Sequence, residues 1–243
     1  MRWLGALIIT LVLCQNAWAA PTFDAATTSE DNDGDSSISF NHTVGGGCSN
    51  PIIVVAVAWR SNSSQTLDSM TIGGGAGTQV SAQADAGNTR SLAMWYRTGV
   101  STGINAISGS FSAGAGFIVM SASSYCGVNS GAPVGTPTAT FDENPTNASV
   151  TVTSAVGELV VDAVGGRNGG STTLSVGAGQ TSRSNFTDVS AATVLATSDE
   201  AGAASVSMDW TITNSSGWLQ IGVALKPAGA AAGFVRRKPV IFQ

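Results

Sequence analysis

Charge, histidine and cysteine are the scarce materials of this sequence. Charged residues are 10 % of it, with ten Lys and Arg against fifteen Asp and Glu for a net charge of −5, and His42 is the only histidine. So few basic residues leave no footprint for nucleic acid, whose binding rests on clustered Lys and Arg. A single histidine excludes any multi-histidine metal centre. GVSTG (99–103) matches G-x-S-x-G in spacing but lies between two strand patterns, so no strand-to-helix elbow accompanies His42 to supply a nucleophile for a Ser-His-Asp hydrolase. A sustained 3.6-residue apolar stripe is also missing, which argues against a helical protein. No apolar run after the N-terminus is long enough to cross a membrane as a helix.

The N-terminus is the one place with a continuous apolar run. MRWLGALIITLVLCQNAWAA has a basic start at Arg2, an apolar run over 3–13 and the small-residue pattern Ala17-Trp18-Ala19. That pattern predicts a signal peptide over 1–19 and a secreted or cell-surface mature chain. A lipoprotein reading of LVLC fits less well, because Leu13 stands where a small residue is wanted before Cys14. Cleavage removes Cys14 and leaves Cys48 and Cys126, so an oxidising compartment permits one disulfide between them. Two free thiols are the alternative, since the sequence does not give the distance between the alpha carbons.

What is abundant is Gly, Ser, Thr, Ala and Val in alternation of period two. In SVSMDWTI (205–212) the side chains of Val206, Met208, Trp210 and Ile212 share one face and the polar ones the other. Similar strand patterns run over 36–44, 67–72, 90–97, 103–112, 117–125, 148–154, 158–165, 189–197 and 218–226. Glycine- and asparagine-rich turns separate them. PIIVVAVAW (51–59) is apolar on both faces, so it predicts a central strand covered on both sides. The fold expected is all-β, a single antiparallel, jelly-roll-like β-sandwich over 20–227. A small-residue linker at 228–233 then leads into FVRRKPVIFQ. This flexible basic tail, 228–243, reads as a disordered end or as an attachment peptide for a partner, including self-assembly with another copy.

Candidate chemistry is sparse. His42 falls on the same side of its strand as Ile38, Phe40 and Val44, which predicts a core histidine with satisfied ring nitrogens. The cluster EDNDGD (30–35) offers Asp31, Asp33 and Asp35 as calcium ligands around Gly34, because closely spaced carboxylates suit a hard cation. The EF-hand pattern fails: aligning Gly34 with the loop glycine puts Ser29 at the first ligand position and leaves no Glu at the last. Glu158 and Asp162 lie four apart on a predicted strand, roughly 13 Å along an extended chain, which is long for a glycosidase pair. Trp59 beside Arg60, Trp95 beside Tyr96, and Trp218 are the candidates for a platform on which sugar faces stack.

The order SISFNHTVGGGCSNPIIVVAVAWR, MTIGGGAGTQV, LAMWYRTGVSTGINAISGSFS, SSYCGVNSGAPVGTP, SVTVTSAVGELVVDAVGG and WLQIGVALKP resembles a family of bacterial secreted or surface β-sandwich domains. The resemblance implies an architectural His42 and a role beside adhesion or carbohydrate-associated modules, and it carries over no catalytic residue. Cys48 and Pro51 depart from its usual polar turn. The function expected is therefore that of an exported, non-catalytic glycan-binding or adhesion protein without nucleic acid or a membrane span. One alternative is a structural subunit of an extracellular or virion-like assembly, motivated by the tail. The other is a secreted polysaccharide hydrolase, motivated by the acidic residues alone.

Overall fold

The computed structural model describes residues 19–60, 65–87, 89–143, 147–187 and 193–229. The expected leader lies outside these residues except for Ala19, and so does the expected tail beyond Gly229. Among the described residues the chain is all-β and antiparallel, as the alternation predicts, and no helix is long and apolar enough to cross a membrane.

The N-terminal half supplies β1 (Thr22–Asp31), β2 (Ser37–Val44), β3 (Ile52–Arg60), β4 (Leu67–Ile72), β5 (Gly75–Ala76), β6 (Thr78–Ala84), β7 (Arg90–Thr98), β8 (Gly103–Phe111) and β9 (Phe117–Cys126). These form two sheets, β2-β8-β4-β5 and β1-β9-β3-β7-β6. The C-terminal half supplies β10 (Thr138–Asp142), β11 (Asn147–Thr153), β12 (Leu159–Val176), β13 (Thr181–Phe186), β14 (Thr193–Ala201) and β15 (Ser205–Leu225). Its sheet runs β10-β15-β12-β14-β13, with β11 also on β15.

The fold has more layers than a two-sheet sandwich. The long strands β12 and β15 stay paired on both sides of a bend at 167–172 and 214–217, where Asn214 and Gly217 take positive φ. Beyond the bend, β11 and the first part of β15 lie over the sheet that the last part of β15 forms with β12. Gly222 marks the closest approach: an added Cβ there would stand 2.7 Å from Val152 and 3.0 Å from Val150. Four layers result, with apolar cores between successive pairs.

Strand β3 shows why the chain stacks this way. Its Ile53, Val55, Val57 and Trp59 enter the first core with Ile38, Met70, Ile107 and Met120. Its Ile52, Val54, Ala56 and Ala58 enter the second core with Leu195, Ile221, Val223 and Leu225 of the C-terminal half. A strand apolar on both faces needs cover on both, and here each cover is a sheet. The outer core, between the last two layers, holds Val164, Ala196, Trp210, Ile212 and Trp218, with Val150, Val152, Val160 and Met208 beside them. Trp210 is buried, as its alternation predicts.

Two ion-pair groups tie the halves at their rims. Arg183 forks onto Asp199 at 2.6 and 2.8 Å while its guanidinium lies 4.2 Å over the Phe23 ring. Arg90 binds Asp85 within its own hairpin and Glu143 of the other half.

Candidate functional site

Trp59 of β3 and Trp95 of β7 meet at one cleft because register puts them there. Val55 lies opposite Trp95, and Trp59 opposite Ser91, so both indoles sit on the face that looks toward the first core. On the other side of β7, Gln79 of β6 stands opposite Trp95 and Ala82 opposite Ala93. The outer sheet ends at β4 and β5 and does not reach over β6. The uncovered corner is a cleft of about 390 Å³, walled by Gln65, Thr66 and Leu67 and floored by Trp59, Trp95 and Gln79. Its remaining lining is Ala82, Gln83, Ala84, Ser91 and Ala93, so among the described residues no charged side chain lines it. Trp59 is held by its indole N–H, which donates to the Gln65 carbonyl at 3.1 Å, and by the edge of Phe111.

The other residues of the expected platform lie elsewhere. Tyr96 points to the opposite face of β7 and packs against the second core. Trp218 is 6 % exposed within the outer core of the C-terminal half. Arg60 is exposed at the end of β3, opposite Arg90 and Phe117. The structure thus joins Trp59 with Trp95 and separates the rest. Gln65, Gln79 and Gln83 escape sequence reasoning, because only the pairing of β6 with β7 brings Gln79 to Trp95.

Asp31, Asp33 and Asp35 do not converge. Asp31 ends β1 and accepts the Asp33 N–H, and the three carboxylates form no group able to share one ion. Among the described residues the only three metal-type ligands gathered together are Asp24, Cys48 and Cys126. The two cysteines are joined in a disulfide with alpha carbons 5.1 Å apart, so they are not thiolate ligands.

His42 is fully buried and both its ring nitrogens are bonded, at 3.0 Å to Thr27 Oγ1 and 3.0 Å to Ser124 Oγ. The Ser124 hydroxyl donates to Asp24 Oδ2 at 2.8 Å, so His42 Nε2–H donates to Ser124 and Nδ1 accepts from Thr27. This order differs from a hydrolase triad, in which the carboxylate holds the histidine and the histidine takes the serine proton. Burial lowers the His42 pKa, against the opposing pull of the Asp24 charge.

Asp162 is the other buried polar centre. It is 1 % exposed, and it accepts from Ser198 Oγ at 2.5 Å, Trp210 Nε1 at 2.7 Å and Gln220 Nε2 at 2.8 Å. Burial pushes its pKa up to about 6, with those hydrogen bonds opposing the rise. It does not line the Trp59–Trp95 cleft, and neither does Glu158, which caps its own turn through the Ala155 N–H. Comparison with protein families, with curated proteins and with solved structures finds no match.

Proposed function

We propose that this chain is an exported, non-catalytic module that binds an uncharged glycan in the cleft between Trp59 and Trp95. The observation that carries the reading is the cleft's lining: two indoles, three glutamines, and hydroxyls from Thr66 and Ser91, with no charged side chain among the described residues. The C–H face of a pyranose stacks on the half-buried Trp95 indole, with Trp59, 4 % exposed, backing it from the core, while carboxamides supply paired donors and acceptors for adjacent hydroxyls. The volume lies within the range of ordinary small-ligand sites. Among the described residues the cleft's lining holds no carboxylate pair of the kind that serves glycosidic cleavage, which supports binding over hydrolysis. The predicted leader and the Cys48–Cys126 bond support work outside the reducing cytoplasm.

The test is depletion of the purified protein from solution by a panel of insoluble neutral and anionic polysaccharides, with soluble sugar followed in the same tubes. The expected result is depletion by a neutral polymer without sugar release. Trp95→Ala and Gln79→Ala should each weaken that binding, the tryptophan change at least tenfold, a typical loss for an aromatic anchor. Unchanged binding in both variants, with the fold intact by circular dichroism, overturns the assignment of the cleft.

A further inference from the structure

The Asp162 network holds more than a hydrogen-bonded carboxylate. Ser198, fully buried, sits directly opposite Asp162 in the β12–β14 pairing, and its hydroxyl donates to Asp162 Oδ1 at 2.5 Å. The Gln180 carboxamide reaches the same hydroxyl from the turn before β13, with Nε2 2.8 Å from Ser198 Oγ. Its carbonyl oxygen accepts the Asp209 backbone N–H at 2.6 Å. The second oxygen of Asp162 is fixed by Trp210 and Gln220. A hydroxyl, a carboxylate that takes its proton in a hydrogen bond and a carboxamide whose nitrogen stands 2.8 Å from the hydroxyl oxygen are the parts needed for acyl transfer.

The geometry points to an intramolecular ester between Ser198 and Gln180, formed by the folded chain with release of ammonia. Ser198 Oγ attacks Gln180 Cδ as its proton passes to Asp162. The carbonyl electron pair moves onto Oε1. The pair returns, the C–N bond breaks, and the departing nitrogen takes the proton from Asp162 to leave as ammonia, restoring the carboxylate. A turn about the last torsion of Gln180, soft as such terminal torsions are, presents the face of Cδ to Oγ and releases Oε1 from the Asp209 N–H. Ser198 and Asp162 are shut off from solvent, which keeps water from competing as the nucleophile. The raised pKa of Asp162, about 6, suits a group that must accept and then return a proton near neutrality. The inference is independent of the glycan cleft, which lies in the other half of the molecule.

Mass spectrometry of the purified chain tests it. After reduction of the disulfide, the wild-type protein is expected to be lighter than its sequence by one ammonia. Trypsin cuts after Arg167 and Arg183, so the peptide ending at Arg183 should remain joined to the one beginning at Ser184, and hydroxylamine should part them. Ser198→Ala and Gln180→Glu should have full mass and separate peptides, and the second variant keeps the side chain's shape should the first fail to fold. A folded wild-type protein at full mass overturns the proposal. Loss of ammonia with the two peptides separate also overturns it, since that loss arises elsewhere in the chain.

Discussion

Among the polar groups that the two halves of this molecule bury, two that hold layers together are of opposite kind. In the N-terminal half it is His42, a base kept neutral, with hydroxyl partners at both ring nitrogens and a disulfide close by. In the C-terminal half it is Asp162, an acid held by three neutral donors, with no cysteine nearby. Each tethers a thinner outer layer to the sheet behind it: His42 joins β2 to β9, and Asp162 joins β12 to the overlying Trp210. The comparison teaches that an apolar face of short strands fixes which sheets stack, while a buried polar group fixes their register, because an unpaired donor or acceptor there costs about 1–3 kcal/mol. It also shows that one chain carries two pH responses of opposite sign.

Removing the covalent tie should have the largest effect. The Cys48–Cys126 bond spans 78 residues, from the turn before β3 to the end of β9. By loop-closure entropy such a bond contributes about 4.5 kcal/mol. Cys48→Ser with Cys126→Ser is therefore expected to lower the unfolding free energy in guanidinium titration by about that amount. A loss under 1 kcal/mol would show that β1, β2 and β9 hold the N-terminal half without it, and the asymmetry between the halves would vanish.

Second in size is the pH response of Asp162. Its pKa rises from an ordinary 3.8 to about 6 on folding. Below pH 4 both folded and unfolded chains are protonated and nothing is lost. Between pH 4 and 6 the unfolded chain gives up its proton and the folded chain keeps it, so stability falls as pH rises, by about 3 kcal/mol in all. Asp162→Asn should flatten this fall. Urea titrations from pH 4 to 7, made on both proteins in a Gln180→Ala background that leaves Ser198 its hydroxyl, measure it, and parallel curves would refute the assignment to Asp162.

Much of this architecture is legible in the chain, and the illegible parts share a cause. The faces of β3 and of SVSMDWTI can be read because apolar and polar side chains alternate, or conspicuously fail to alternate, within one strand. Strand β1 escapes because TFDAATTSED has little apolar content; its pairing with β9 makes it a strand. Strand β13, TSRSNF, escapes for the same reason and is held by β14 and by the Arg183–Asp199 fork. The stretch 214–217 reads as a loop, whereas β15 continues through it as one strand, paired with β12 on either side of a shift in register. The cleft is least legible of all. Trp59 and Trp95 are far apart in sequence, and only inter-strand register joins them while sending Tyr96 and Trp218 into other cores. Local pattern reports a strand's faces; it does not report its neighbours.

The smallest expected effect sharpens the comparison most. His42 has a folded pKa below its ordinary 6.5, so above that pH both states are neutral and stability is level. As pH falls through 6.5 the unfolded chain takes up a proton that the folded chain refuses, and stability is lost on acidification, the reverse of the Asp162 slope. His42→Gln cannot titrate. At pH 8 it should cost about 2 kcal/mol, roughly 1 for each hydrogen bond lost to Thr27 and Ser124. Toward pH 5 that deficit should shrink, because the wild type is weakened there and the variant is not. Combining His42→Gln with Asp162→Asn should remove both slopes with additive effects, since the two centres lie in different interlayer cores, and leave the fall with rising pH due to Glu200, whose pKa burial also raises. A deficit that stays constant with pH would mean that His42 titrates alike in both states. The opposition between the two halves would then rest on Asp162 alone.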